Sequence, residues 1–506
     1  MPRNFSRVFT FVSLFFLLAA CAAPVQTGTA ASASPALTGA PISTSTFSSP
    51  TALPVPSATP TAPPQSQPDT GIISYVMDAR LDYQAKTLNV KQDIDYPNTS
   101  GGPIADMLLA VEPNLIPGVF NLSSLSQDNQ PVKPYSLTGQ RLTWKLTAAL
   151  PAGGKTHIHL EYQLALPQAQ QGNPNVVRPQ IFGVTARQVN LTDWYPMVVP
   201  FNAGGGWHLA DPWFYGEHLV YPQANFDVTL RFSDPANAPV VAASAAPQPV
   251  DGGMRYVLER GRDFVLSMGR QMQVKSAQVE GVTISSYYYP GSEAGGQAVL
   301  DATSKALKTF GAFFGSYSHK SLAAVQGDFN DGMEFDGLYY LSNSFYNLYD
   351  GTPNNYLPMV AAHETSHQWW WGRVASDQAK SPWMDESLAS YCEEIFYEKN
   401  YPDSVKWWWS VRIDFYQPSG MIDGDVPGYA GFAPYTNTVY KQGAHFFADL
   451  RLAMGDQDFF AFLKDYAAQM DGKIAAPGDF FRILKLHSSS DLNALLAKYF
   501  AHPPKI

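Results

Sequence analysis

Two of the chain's ten histidines stand four residues apart, with a glutamate after the first, in the run Met359-Val360-Ala361-Ala362-His363-Glu364-Thr365-Ser366-His367-Gln368-Trp369. On a helix, positions i and i+4 lie on one face, so both imidazoles can reach one metal ion. Neutral imidazole is a good zinc ligand, and Glu364 can stand beside an activated water as general base without ligating. The apolar residues before His363 predict a buried helix. Catalytic zinc takes three protein ligands and a water, so a third ligand is expected. Downstream runs Ser381-Pro382-Trp383-Met384-Asp385-Glu386-Ser387-Leu388. Pro382 fits a helix start, and Trp383, Leu388, Tyr391 and Ile395 give that helix an apolar side. Glu386 follows His367 after 18 intervening residues.

That spacing resembles the gluzincins, in which a second helix brings a carboxylate to the same zinc. The resemblance implies His363, His367 and Glu386 as ligands of one Zn²⁺ per chain. It narrows to the aminopeptidase N and leukotriene hydrolase family, peptidase family M1, whose W-x-[ND]-E is similar to Trp383-Met384-Asp385-Glu386. That family's G-x-M-E-N strand is similar to Asp331-Gly332-Met333-Glu334-Phe335-Asp336-Gly337. The resemblance implies that Gly332, Met333 and Glu334 meet substrate, with Glu334 on its free α-amino group. A carboxylate closing one end of a cleft pairs with an ammonium and rejects a capped terminus. Asp331 stands where the family often has Gly, and Phe335 where it often has Asn. The family's Y-x-x-x-x-Y-x-K-G is similar to Tyr435-Thr436-Asn437-Thr438-Val439-Tyr440-Lys441-Gln442-Gly443, with Gln442 in place of Lys. The resemblance implies that Tyr440 donates a hydrogen bond to the tetrahedral intermediate, where a phenol aimed at developing charge favours the transition state.

These residues need elements to hold them. The 506 residues carry 45% hydrophobic and 15% charged residues, enough for large cores in two or three domains. Tyr75, Met77, Ala79, Leu81 and Tyr83 alternate with polar residues; Leu88, Val90, Ile94 and Tyr96 do so with an interruption at Gln92. Ile158, Leu160, Tyr162, Leu164 and Leu166 follow the same period, as do Phe226, Val228, Leu230 and Phe232. Period two argues half-buried strands. After Tyr289-Pro290 the spacing of Val299, Ala302, Ala306 and Phe310 is helical, with a strand-like stretch near Leu322 to Val325. The expected fold is α+β multidomain: an N-terminal antiparallel β-sheet domain over 71–272, then a mainly helical zinc-peptidase domain over 273–506, thermolysin-like by the family resemblance. Trp194-Tyr195-Pro196 and Gly206-Trp207 follow the order of the family's amino-terminal domain. The resemblance thus runs over about 72–506 and stops short of the large carboxy-terminal helical domain of full-length relatives, which covers their cleft.

The first seventy residues read as address and tether. Arg3 and Arg7 precede an apolar run from Val8 to Ala20, too short to span a bilayer comfortably, so 1–20 reads as a signal peptide. Leu18-Ala19-Ala20-Cys21 resembles the lipobox of bacterial lipoproteins, which implies acylation of Cys21, membrane anchoring and an extracytoplasmic location, at the cell surface or the periplasmic face. Within 21–70, Ala22 to Pro68 holds no charged residue and is dominated by Ala, Ser, Thr and Pro, the composition of a spacer.

Other features are weighed and set aside. The net charge of −10 argues against nucleic acid. Two cysteines build no disulfide scaffold. Trp369-Trp370-Trp371 and Trp407-Trp408-Trp409 read as core or interface. Cys392 reads as an inert buried thiol, and His445 as structural. Glu393, on the helix face of Glu386, is either a hydrogen-bond partner of a ligand histidine or a solvated acid. The expected function is a membrane-anchored zinc aminopeptidase acting on peptides. The alternatives are an open-cleft endopeptidase on the same zinc, which Glu334 opposes; a non-catalytic peptide-binding surface lipoprotein, which the intact Glu364 opposes; and epoxide hydrolysis, for which no residue specifically speaks.

Overall fold

The structure is a computed structural model that describes residues 71–169, 181–202 and 204–504. The signal peptide, Cys21 and the tether lie outside the described residues. The described residues within 67–506 form one compact unit.

Its first half is β. The alternating segments form β1 (Ile73–Asp82), β2 (Thr87–Pro97), β3 (Phe120–Gln127), β4 (Lys155–Ala165), β5 (Ala224–Phe232) and β6 (Gly253–Gly261) of an eight-stranded sheet. From one edge the order is Pro247–Val250, β6, β5, β1, β2, β4, β3, Gln130–Pro131. Every pairing is antiparallel except β1 with β5, which is parallel from Ile73↔Ala224 to Leu81↔Phe232. A hairpin fixes antiparallel order, whereas β1 and β5 are joined by most of the domain, so no local signal sets their direction. Gln92 interrupts the alternation because it is a buried polar tie: its amide donates to Pro196 O at 2.7 Å and accepts from Tyr162 OH at 2.9 Å. Trp194 and Tyr195 are fully buried in the same core, as architecture rather than site.

The second half opens with a five-stranded sheet. Its strands are β7 (Gln273–Val279), β8 (Val282–Tyr288), β9 (Ser321–Gly327), β10 (Gly332–Phe335) and β11 (Leu338–Ser342), in spatial order β7-β8-β9-β11-β10. The strand-like stretch near Leu322 is therefore the centre of a sheet that continues through the Gly-Met-Glu-Phe segment. β10 is an edge strand, paired antiparallel only with β11. Helix α1 (Glu293–Phe314) lies against β8 and against α2 (Tyr356–Ser366), and α2 packs on α3 (Glu386–Asn400). Then come α4 (Gly443–Met454), α5 (Asp456–Gln469), α6 (Pro477–His487) and α7 (Asn493–Tyr499). Of the two tryptophan runs, Trp369, Trp370 and Trp408 are buried in the core of these elements with Trp383, Trp371 is buried beside Val220 and Ala375, and Trp407 and Trp409 are half-buried against the core.

Candidate metal centre

Helix α2 starts at Asn355, whose side chain accepts from Leu357 N at 3.0 Å. Every residue from Leu357 to Ser366 is buried, so the helix is interior rather than amphipathic. His367 closes it with φ −63 and ψ −14, still right-handed, so the i, i+4 geometry is kept and the two imidazole rings lie 4.9 Å apart. Glu386 opens α3, just after the short 3₁₀ turn that Pro382 begins.

Both imidazoles point Nε2 at the same carboxylate oxygen. Glu386 Oε2 is 3.2 Å from His363 Nε2 and 3.6 Å from His367 Nε2. Two ligands of a tetrahedral zinc stand roughly 3.3 Å apart, so these separations are edges of such a site. His367 Nε2 has no hydrogen-bond partner although fully buried. The other ring nitrogens are held from behind. His363 Nδ1 meets Glu393 Oε1 at 2.9 Å; His367 Nδ1 meets Asp385 Oδ1 at 2.7 Å and Trp370 O at 3.1 Å. Such partners fix the tautomer that leaves Nε2 free to ligate.

The charges agree. Glu334, Glu364, Asp385, Glu386 and Glu393 are all at most 5% exposed. The guanidinium facing them is Arg412, bound in a fork to Glu393 at 2.9 and 3.1 Å. Burial pushes Glu364 and Glu334 up to about 8, with Glu386 among the carboxylates that add to it. Burial acts on Glu386 too, but the hydrogen bond to His363 and the close His367 ring overturn it and hold that carboxyl far below its usual range. For His363, burial favours the neutral ring, yet its bonds to Glu386 and Glu393 raise it to about 10. A buried excess of carboxylates around two imidazoles calls for added positive charge, and the donor geometry suits a zinc ion.

Glu393 thus resolves the open reading in favour of the ligand partner. It is fully buried, and Trp408 Nε1 also donates to it at 2.7 Å. Glu393→Gln is expected to weaken zinc binding about 10–100-fold, measured by chelator competition. Its neighbour Glu394 is also buried and accepts from Trp409 Nε1 at 2.7 Å, but its second oxygen has no partner. Burial raises its pKa to about 7. The folded state then holds a proton that the unfolded chain releases at lower pH, so stability is full below the ordinary glutamate value and falls as pH rises through about 7. Glu394→Gln is expected to stabilise the fold by about 2 kcal/mol at pH 8 and by nothing at pH 4, read from denaturant unfolding at both.

Around the donors opens a cleft of about 980 Å³. Gly332, Met333 and Glu334 line it from the edge strand β10, and Glu364 lines it from α2. Gly332 is where it is because Glu364 lies against it: a Cβ there would overlap Glu364 Oε1 and come within 2.8 Å of Val360 Cγ1. Glu364 Oε2 is buried without a partner. Tyr440 lies in a π-helical turn, Asn437–Gln442, and stacks on His363 at 5.9 Å with rings 9° from parallel. Tyr435 is buried behind it, between Tyr215 and Tyr440. Gly443 ends the motif where a Cβ would overlap Ser387 Oγ on α3. His445 pairs with Asp414 at 3.0 Å, away from the donors.

All eight site residues read from the sequence therefore border one cleft or its metal centre. Three others join them: Asp385, which the W-x-[ND]-E run contains without a role assigned, and Gln378 and Glu217, which carry no motif. Asp385 and Gln378 form a bridge, Gln378 Nε2 donating to Asp385 Oδ2 at 2.6 Å and Glu334 Oε1 at 3.1 Å. Glu217 comes from a loop of the β half, and its carboxylate converges with those of Glu334 and Glu386 within 4.8 Å. Tyr215, two residues earlier, anchors this loop through its hydroxyl to Tyr429 O at 2.7 Å.

Residues 299–499 match the model of the peptidase family M1 domain. Over these residues the helical half of the chain is similar to peptidase family M1. Aminopeptidase M1-B of Oryza sativa subsp. japonica is 24% identical to this chain over 242 residues, 45% of this chain and 28% of that one. The chain thus spans under a third of the length over which that curated relative extends. The crystal structure of the M1 zinc metallopeptidase from Deinococcus radiodurans superposes with a TM-score of 0.62 at 17% identity, covering 86% of this chain and 97% of that one. A mutant of that enzyme bound to a Tyr-Ser-Ala substrate gives 0.60 at 17%, covering 86% and 96%. The helical half and the β half before it therefore share a two-domain fold with these structures.

Proposed function

We propose that this chain is a zinc aminopeptidase, anchored to a membrane through acylated Cys21 and facing away from the cytoplasm. The observation that carries the activity is the carboxylate pair Glu217 and Glu334 beside the zinc donors. An α-ammonium has three N–H donors and one charge, which two carboxylates at a closed end of the cleft satisfy. The likeness to an aminopeptidase of rice and to a peptide-binding bacterial metallopeptidase supports the same reading.

Zinc held by His363, His367 and Glu386 supplies Lewis acidity toward the scissile carbonyl and acidifies a water. Glu364 takes the proton of the attacking water and delivers it to the leaving amine. Burial, with Glu386 next, keeps the Tyr440 phenol protonated well beyond its usual pKa, so it remains a donor to the developing oxyanion. Gln378 ties Glu334 to Asp385, and thereby the ammonium anchor to a ligand imidazole. Orientation by that anchor is itself catalytic, because misplacement forfeits the near-attack geometry.

The deciding experiment offers short peptides with free and with acetylated amino termini and follows products by mass. Single-residue loss from free peptides alone supports the aminopeptidase. Internal cleavage of acetylated peptides moves the reading to an endopeptidase, and binding without cleavage moves it to a peptide-binding module. For the anchor, the support is the basic, apolar and Leu18-Ala19-Ala20-Cys21 sequence of the leader; among the described residues no helix is long and apolar enough to cross a membrane. Cys21→Ser should move the protein from the membrane to the soluble fraction, and unchanged membrane retention would count against lipidation.

A further inference from the structure

Lys441 has no part in the chemistry above, yet it lines the cleft and is only 6% exposed. Its ammonium lies 4.4 Å from the centroid of the Tyr416 ring, and among the described residues no carboxylate or carbonyl pairs with it. A buried ammonium without a contacting anion is costly. Burial, with Arg412 next, lowers its pKa to about 8.

Its placement is built rather than incidental. Lys441 belongs to the π-helical turn Asn437–Gln442, and Arg412 to a second one, Trp408–Ile413; the two turns pack together. Such turns break the 3.6-residue repeat and recur at functional sites. Each here brings one cation to the cleft. Arg412 is paired with Glu393, whereas Lys441 makes no ion pair of its own among the described residues and feels Glu393 and Asp331 only at longer range. Asp331 lines the same cleft and its charge favours the Lys441 ammonium, but the two form no ion pair; Asp331 Oδ1 accepts from its own neighbour, Gly332 N, at 3.0 Å.

The two ends of the site differ. Glu334 converges with His367 and Asp385, whereas Arg412 reaches His363 through Glu393. A substrate held by its ammonium at Glu217 and Glu334, with its first carbonyl at the metal, extends its remainder past His363 toward Lys441. We propose that Lys441 binds a carboxylate on the leaving-group side of the substrate. This rests on the aminopeptidase reading and adds a substrate class to it. The carboxylate has two sources: the α-carboxylate of a dipeptide or tripeptide, or an Asp or Glu side chain just after the scissile bond.

The test uses zinc-loaded protein and matched dipeptides and tripeptides, as free acids and as amides, plus amides with Glu second. Free acids are expected to exceed amides at least tenfold in kcat/KM, mainly through KM, with the ratio shrinking as salt rises. The ratio should fall toward one in Lys441→Gln and persist in Lys441→Arg. Calorimetric binding of the same peptides to Glu364→Gln should give the same ratio without turnover. Preference for the free acid at a single chain length assigns the α-carboxylate; recovery of amides by Glu assigns the side chain. Equal kcat/KM for acids, amides and Glu-containing amides overturns the proposal, while N-terminal release from all of them leaves the aminopeptidase standing. A preference that survives Lys441→Gln overturns the assignment to Lys441. If no peptide loses its first residue, the aminopeptidase reading falls instead, and the calorimetric ratio still decides whether a carboxylate binds here.

Discussion

Glu364→Gln is expected to lower peptide turnover by about a thousandfold while zinc stays bound at one per chain. Glutamine keeps the shape of the side chain but cannot accept the proton of the attacking water. None of the three donors is touched, because Glu364 faces the cleft and β10 rather than the convergence of His363, His367 and Glu386. The fold should not suffer either. Glu364 is buried, and burial outweighs the pull of His363 and His367 to disfavour its ionised form, so a neutral amide is tolerated there. The result to look for is lost kcat with unchanged metal content and an undiminished melting temperature. Turnover within tenfold of the parent would mean that another carboxylate serves as base. Glu386→Gln is the contrasting variant, since it should lose metal and activity together.

The sequence carried the metal centre because its signals are local. His363, Glu364 and His367 share one helix, so their spacing places them together, and Glu386, at the start of α3, was legible through the resemblance of its spacing to the gluzincins. Glu334 was legible through its neighbours on β10, and Tyr440 through a motif of nine residues. Glu217 was not: it reaches the site from the β half, through a loop whose docking depends on Tyr215 and on the approach of Gly216 to Val426 and Tyr435. No periodicity marks such a residue. Arg412 and Lys441 were hidden for another reason. Each lies in a π-helical turn, where counting by 3.6 assigns the wrong face. Glu393 was placed on the correct face of α3, but only its burial and its bond to His363 separate a ligand partner from a solvated acid. In the β half, alternation identified the strands and left the parallel pairing of β1 with β5 unseen, since that pairing joins segments with no turn between them.

Gly332→Ala is expected to lower kcat by about a hundredfold or more without removing zinc. The cause is steric rather than conformational. Gly332 is not among the glycines with positive φ, so its backbone accepts alanine. The added methyl, however, would overlap Glu364 Oε1 and stand 2.8 Å from Val360 Cγ1. Val360 and Glu364 lie on adjacent turns of α2, which is buried along its length and has no free direction to move. Either Glu364 leaves its rotamer or the edge strand β10 backs away and takes Glu334 with it. Both displace a group from its working position by about an ångström, which costs on the order of 10²-fold, and overpacking costs about 1–3 kcal/mol of stability. Gly443→Ala supplies the comparison. Its methyl would overlap Ser387 Oγ, beside the ligand Glu386 rather than the base, so its damage should appear in zinc affinity and stability. If Gly332→Ala instead retains full kcat, the contact between β10 and Glu364 does not position the base. If it loses zinc as readily as Gly443→Ala, the strand is bracing the metal helix as a whole, and the separation of base from ligands argued for Glu364→Gln no longer holds.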